Sequence, residues 1–526
     1  MIAITMTDGQ SVAVQKITIY PRWAALIAGA ASATGFAPLN LWPVTLVCLM
    51  LLITLVLAAQ QRRRALAIGW AFGFGQMSVG LFWLAHAFTY QDKMPVELGW
   101  FASPLISFYL AIYPAMAAGL AWRWGRNYIA RFVYIFAASW ILTEWLRSKV
   151  FTGFPWNPLS AGFVDVAQVT DLVGTYGASG VILLAAGGLL LLTKRQYLQS
   201  AYCLALPAFA LAYAFLPSPT NEARRDGPLL HIVQPNIGQQ DKYRPGYAEE
   251  NFQKLAALTQ AGSTQRKRVI FWPEAAVPDH IGESDYAARL ARRKIAALMQ
   301  PGDILLTGAD KIFSQSRRVG NHIETRWVGA ANSNFALDSR GEILWRYDKA
   351  HLVPVGEYLP LRELFKPIGL ARLVPGDLDF WPGPGPRSDI LEGIGKIGTQ
   401  ICYEIIFSGE VTDRANRPAL IFNPSNDAWY GAWQPPQHLA QARLRAMEEG
   451  LPVIRSTPTG ISAVIDAHGR VIEALAHQKP GYIQAELPVA RASTLFSHYG
   501  NVLPICFAML LIVCAFMPLA RSRTSR

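Results

Sequence analysis

The distribution of charge along the chain constrains its fold more than any other feature. Residues 23–217 and 502–520 run for long windows almost without Asp, Glu, Lys or Arg. Residues 218–500 have ordinary globular composition, with 32 Lys and Arg against 30 Asp and Glu. A membrane-crossing helix needs about 20 consecutive apolar residues. Eight such runs are expected, at 23–39, 41–60, 66–88, 101–122, 131–148, 166–193, 199–217 and 502–520. This pattern predicts a polytopic α-helical membrane domain with one large soluble domain between spans seven and eight. The expected division is a segment 1–22, seven spans in 23–217, a soluble domain 218–500, an eighth span 501–520 and a basic tail 521–526. Gly187-Gly188 in span six marks either close helix packing or a kink. Residues 1–22 contain Asp8 and no apolar core, unlike a cleaved signal peptide.

Basic residues orient these spans. Lys16, Arg22, Arg62–Arg64, Arg123, Arg126, Arg131, Lys194, Arg195, Arg521, Arg523 and Arg526 all fall on one side if eight spans alternate, and Lys93, Arg147 and Lys149 on the other. Positive charge collects on the cytoplasmic side, so both termini are expected in the cytoplasm and residues 218–500 outside it. The net charge of +12 and pI near 9.5 are then mostly topology charges, and nucleic-acid binding is not indicated. Glu144, near the outer end of span five, is expected to pair with Arg147 one turn on.

Residues 218–500 alternate short β-type runs with helical patterns. Strands are expected at 229–233, 269–272, 304–307, 332–337, 343–347, 395–401, 419–423, 453–457, 462–465 and 471–474, and helices near 247–261, 285–299 and 436–449. Asp338-Ser-Arg-Gly341 and Asp466-Ala-His-Gly469 supply turns of two similar hairpins. The mixture reads as an α/β or α+β sandwich. Residues 360–386, rich in Pro and Gly, read either as a lid or as an ordinary packed loop.

Cys402 is the only cysteine between Cys203 and Cys506. A lone thiol cannot form a disulfide within its domain, which leaves a core residue or a nucleophile. Two other strand ends carry polar residues that burial would not select. One is Phe271-Trp-Pro-Glu274. The other is Tyr347-Asp-Lys349, continuing through His351 to Gly356-Glu357. A carboxylate can take a thiol proton, and an ammonium can stabilise the thiolate and then an oxyanion. A Cys–His pairing through His351 is weaker, since no Asn or Asp partner stands out.

The ordered set Trp-Pro-Glu274, Lys349-x-x-Leu-Val-Pro-x-Gly-Glu357 and Cys402-Tyr403-Glu404 resembles the nitrilase, or carbon–nitrogen hydrolase, superfamily. Asn423-Pro-Ser-Asn-Asp-Ala-Trp-Tyr-Gly431 and Arg455–Ser462 resemble its pocket-lining segments. With the flanking spans, Leu81-Phe-Trp83 and Gly153-Phe-Pro-Trp156, the whole chain is similar to the family's membrane-bound branch, the apolipoprotein N-acyltransferases.

The resemblance implies a nitrilase-like αββα sandwich in the periplasm, carried by the bacterial inner membrane. It implies Glu274 as general base, Lys349 as oxyanion-stabilising cation, Cys402 as nucleophile and Glu357 as a second active-site carboxylate. Tyr403 and Glu404 would support the nucleophile, with substrate contacts at Tyr243, Asn426 and Trp429. The reaction implied is ping-pong. An acyl chain passes from a phospholipid, phosphatidylethanolamine above all, to Cys402 as a thioester. It then passes to the α-amine of an S-diacylglyceryl-cysteine at an apolipoprotein N-terminus. The resemblance calls for no metal and no cofactor. The alternatives are a membrane-tethered amidase acting on a small amide, with water in place of the amine, and a transporter or scaffold carrying an inactive domain.

Overall fold

The helices built from the apolar runs are in part shorter and in part longer than the runs themselves. The computed structural model describes residues 20–91, 95–216, 223–242, 244–262, 265–319, 322–361, 363 and 378–518. Tyr243, Lys16, Lys93, the tail 521–526, most of segment 1–22 and most of loop 360–386 lie outside the described residues. Two compact units emerge. One comprises residues 1–84, 100–216 and 501–526, and the other residues 85–99 and 217–500.

The first unit is helical. Against eight expected spans, three helices among the described residues are long and apolar enough to cross a membrane: Val96–Gly125, Ile129–Arg147 and Leu159–Thr193. Arg62–Gly80 with Leu84–Tyr90 makes a fourth if the pair, bent by 49°, is one span. Trp42–Leu57 and Val502–Ala515 are apolar but shorter, and Pro21–Ser32 has only 12 residues. The run expected at 166–193 begins earlier, and its kink lies at Gly174 (φ 72°), not at Gly187-Gly188. Those two glycines serve close packing, since a Cβ would lie 2.3 Å from Val133 at the first and 2.6 Å from Leu204 at the second. Glu144 and Arg147 do not pair with each other as expected. The Glu144 carboxylate accepts from the Trp140 indole (3.0 Å) and the Leu159 N–H (2.9 Å). Arg147 donates to the Phe154 and Trp156 carbonyls (3.1 and 2.8 Å). Beyond the helix, Leu159 N–H and the carbonyls of Phe154 and Trp156 hold the two side chains.

The second unit contains two six-stranded sheets. One has the order Gly481–Ala485, Leu229–Gln234, Arg268–Phe271, Ile304–Val319, His322–Asp338, Ile343–Asp348. The other runs Val471–Ala474, Ala463–Ile465, Val453–Ser456, Leu420–Pro424, Gly395–Thr399, Ser388–Leu391. Each has a parallel centre, 229–234 beside 268–271 beside 304–306 in one and 395–399 beside 420–424 beside 453–456 in the other. Leu230, Ile232, Val269 and Phe271 of the first sheet pack on Ile397, Leu420, Phe422 and Ile454 of the second, with the Phe271 and Phe422 rings 4.8 Å apart. The other face of the first sheet buries Val233, Ile270 and Leu305 against Leu255 of Ala248–Gln260 and Ile295 of Tyr286–Ala296. Helix Gln434–Glu449 packs against Val453–Ser456 of the second sheet. The result is the helix–sheet–sheet–helix sandwich of a nitrilase-like domain. Open sheets of this kind bind ligands beyond the carboxyl ends of their parallel strands, and both sheets end there in polar sequence.

Candidate active site

Glu274 follows the strand Arg268–Phe271. It turns into the structure through Pro273 and Ala275, the latter in the left-handed region at φ 45°. Gly308 on the neighbouring strand makes this turn possible, because a Cβ there would lie 2.2 Å from the Ala275 nitrogen. Lys349 follows Ile343–Asp348, and its N–H donates to the Asn332 carbonyl (2.9 Å). Cys402 follows Gly395–Thr399 by three residues, opens the short helix Cys402–Ile406, and also holds a positive φ of 50°. A non-glycine residue stores backbone strain in that region.

These ends meet at one partly open cavity of about 70 Å³, lined by Glu274, Lys349, Glu357, Cys402, Asn426 and Trp429 among others. The Lys349 ammonium lies 3.0 Å from a Glu357 oxygen and 3.4 Å from Glu274 Oε1. The Asn332 amide donates to both carboxylates, at 2.7 and 2.8 Å, and Val353 N–H donates to the other Glu357 oxygen (2.8 Å). Glu274 Oε2 is buried and makes no hydrogen bond, which leaves it as the acceptor a proton from the thiol would need. Burial disfavours the Lys349 ammonium, but Glu357 and Glu274 outweigh it and hold its pKa well above the usual range. The Cys402 thiol is pushed well up, first by burial and then by Glu274, against the pull of Lys349. Its resting form is the thiol, so attack requires a base. Alkylation of Cys402 by iodoacetamide, followed by mass spectrometry of its peptide, should therefore still be climbing at pH 9. A plateau near pH 7 would contradict this burial-driven shift.

Asn426 and Trp429 stand at the cavity, but Tyr403 and Glu404 do not line it. Tyr403 packs edge-on against Phe407 (5.2 Å). Buried Glu404 accepts from Ile401 N–H (2.6 Å), Tyr347 hydroxyl (2.9 Å), Ala350 N–H (2.8 Å) and His351 N–H (3.2 Å). It clamps the residue before Cys402 to the residues after Lys349. Burial raises its pKa to about 7. Glu404→Ala leaves these buried donors unmatched and is expected to cost roughly 3–5 kcal/mol, read by thermal unfolding. A loss under about 1 kcal/mol would remove the clamp from the account. His351 stacks on Phe407 at 3.8 Å. In loop 360–386, Phe380 lines the cavity and Trp381 stacks on Phe313 (5.0 Å).

Several residues at the site escaped the sequence reading. Asn332 and Asp310 are opposite each other in the hairpin of Ile304–Val319 with His322–Asp338. Lys242 also lines the cavity, its ammonium 3.4 Å from the Glu274 carbonyl. Burial lowers its pKa to about 8 and raises that of Asp310 to about 6. Behind Cys402, buried His438 lies with Nε2 3.1 Å from the Cys402 carbonyl and Nδ1 2.9 Å from Asp427. Arg455 completes this group at 2.5 Å from Asp427. Burial would raise the Asp427 carboxyl, but Arg455 and His438 hold it far below the carboxylate range. Cys402, Asp427 and His438 bring donor atoms within 4.8 Å of one another, close enough to consider a metal. Asp427 and His438 are already engaged with each other, with Arg455 and with the Cys402 backbone, so the group fits a scaffold better than a metal site. Asp427 and Arg455 lie in the segments 423–431 and 455–462 that the resemblance marks as pocket-lining, and the signal for His438 was the spacing of Gln434, His438, Gln441, Arg445 and Glu448, a polar face on a helix that buries it.

Comparison with known proteins agrees with this architecture. Residues 28–188 match the family model "Apolipoprotein N-acyltransferase N-terminal domain", and residues 230–495 match "Carbon-nitrogen hydrolase". An apolipoprotein N-acyltransferase of Rhodopseudomonas palustris is 33% identical over 534 residues, covering 95% of each chain. One from Rhizobium leguminosarum bv. trifolii is 36% identical, covering 80% of this chain and 79% of the relative. A solved structure of the Nesterenkonia AN1 amidase, from the nitrilase superfamily, aligns at 19% identity with TM-score 0.35, over 51% of this chain and 93% of that one. With its helical unit, its double-sheet domain and relatives matched over nearly its whole length, the chain belongs to the apolipoprotein N-acyltransferase family.

Proposed function

We propose that this chain transfers a fatty acyl group from a phospholipid to the α-amine of an N-terminal S-diacylglyceryl-cysteine on apolipoproteins, the last step of bacterial lipoprotein maturation. The observation that carries this reading is the single cavity in which Cys402, Glu274, Lys349 and Glu357 converge. Glu274 takes the thiol proton and the sulfur attacks the ester carbonyl of the donor, for which phosphatidylethanolamine is the proposed class. Lys349, held by Glu357, and the Tyr403 N–H stabilise the oxyanion. Collapse expels the lysophospholipid alkoxide, which recovers the proton from Glu274 and leaves a thioester on Cys402. The acceptor amine then attacks the thioester and yields its proton to Glu274. The amide forms, and the departing sulfur is reprotonated. Asn426 and Trp429, and on sequence grounds Tyr243, contact the substrates.

The same reading puts the chain in the inner membrane with eight spans, both termini cytoplasmic and the catalytic domain periplasmic. The one-sided distribution of Arg62–Arg64, Arg123, Arg126, Arg131, Lys194 and Arg195 supports it. Incubating the full chain with phosphatidylethanolamine alone should add one acyl mass to the Cys402 peptide and release lysophospholipid. Absence of that adduct, together with hydrolysis of small amides, would establish an amidase instead.

A further inference from the structure

The cavity at Cys402 has a neighbour. A second cavity, of about 340 Å³, lies in the same unit. The two are back to back, because successive residues of three segments line opposite sides of one thin wall. His86 and Tyr90 line the second cavity and Ala87 the first. Gln240 and Asp241 line the second and Lys242 the first. Ala428 and Gly431 line the second, Trp429 and Tyr430 the first. Packing within the wall holds it shut. The Tyr90 ring stands edge-on to Trp429 at 5.9 Å, His86 Nε2 is 3.1 Å from the Tyr90 hydroxyl, and a Cβ at Gly431 would lie 3.5 Å from the His86 ring.

The chemistry of the second cavity differs from that of a lipid site. Gln478, His477, Thr459 and Asn236 form its far side. Among the described residues no Lys or Arg lines it, which gives a phosphodiester no cation, and Ala428 is the only aliphatic side chain, which gives an acyl chain little apolar surface. Its side-chain amides, imidazoles and hydroxyls both donate and accept, and the Asp241 and Asp427 carboxylates that also line it accept only, a set that suits the alternating N–H and C=O groups of a peptide.

We infer that the second cavity receives the peptide following the acylated cysteine of the acceptor, which crosses the rim of the Tyr90–Trp429 wall while its α-amine reaches Cys402. This rests on the acyl-transfer reading above. Polar peptide and apolar chains would thereby be sorted to different surfaces, and the amine would approach the thioester from the peptide's side.

The test uses the full chain, phosphatidylethanolamine and two acceptors. One is S-diacylglyceryl-cysteine amide, and the other is the same cysteine followed by Ser-Asn-Ser-Ala. In the unaltered enzyme the longer acceptor should show a KM lower by about tenfold, the value of one net hydrogen bond to the peptide. The double substitution Gln240→Ala with His477→Ala should erase that advantage by raising the KM of the longer acceptor alone. Acyl-thioester formation in the same preparations reports that the variant is folded. Equal KM values for the two acceptors in the unaltered enzyme overturn the inference, with no variant needed, and so does an equal rise for both in the double variant. Transfer to neither acceptor overturns the acyl-transfer reading itself, an outcome distinct from transfer to both without preference.

Discussion

Cys402→Ala is expected to form no acyl-thioester and to lose transfer by ~10⁴-fold or more, because Cys402 is the only thiol that lines the cavity among the described residues. The measurement is lysophospholipid release in a single turnover. Release at near-normal rate would show that Cys402 is not the nucleophile. The same position makes a second, independent statement about backbone energy. Cys402 holds φ at 50°, where a side chain costs about 1–2 kcal/mol and glycine costs almost nothing. Cys402→Gly should accordingly unfold at higher temperature than Cys402→Ala, by about 0.5–1 kcal/mol after glycine's extra freedom in the unfolded chain is subtracted. If alanine is the more stable, the strain is absent. The strain has an evident use. It aims the thiol away from its own strand and into the cavity, and the Cys402 carbonyl is held in that posture by His438.

Lys349→Met should fail in two ways at once. The ammonium lies between two carboxylates, 3.0 Å from Glu357 and 3.4 Å from Glu274, with all three groups buried. Removing one partner from a buried ionic group costs about 3–5 kcal/mol, since the charges left behind have lost their compensation. Turnover should fall by at least ~10³-fold, because the oxyanion loses its cation. Adding Glu357→Gln to Lys349→Met should restore roughly half of the stability and none of the activity. Thermal unfolding and steady-state rates on the two variants separate these effects. A double variant no more stable than the single one would mean that the pair is held by something other than its charges.

The chemistry visible in the sequence was the part placed at strand ends. Glu274, Lys349 and Cys402 each follow an apolar run, where a polar residue has no packing reason to be, and all three arrive at one cavity. Asn332 had no such mark. It sits inside a strand, and its role comes from a hairpin of 16- and 17-residue strands whose outer halves, Asp310–Val319 and His322–Trp327, carry charge and polarity on both faces. Without alternation to read, only 304–307 and 332–337 were expected as strands there, with no pairing between them. His438, and the contacts that join it to Asp427 and Arg455, were hidden for a related reason. Buried polar groups that satisfy one another look, in sequence, like solvent-facing ones. The helical unit shows the opposite failure. Hydropathy sees 66–88 as one apolar run, yet the chain bends by 49° there, because backbone geometry at Leu81–Trp83 is not encoded in apolarity.

Residues 85–99 belong to the sheet-bearing unit although chain of the helical unit lies on both sides of them. A ribosome delivers this strip more than a hundred residues before Pro217, where the rest of its unit begins. The catalytic unit therefore cannot be completed in the order in which it is made, and Ala87 must wait for strands not yet synthesised before it can close the cavity wall. Nor can the unit be excised as one continuous piece. Residues 217–500 expressed alone would carry Cys402, Glu274 and Lys349 and still lack part of the wall around them.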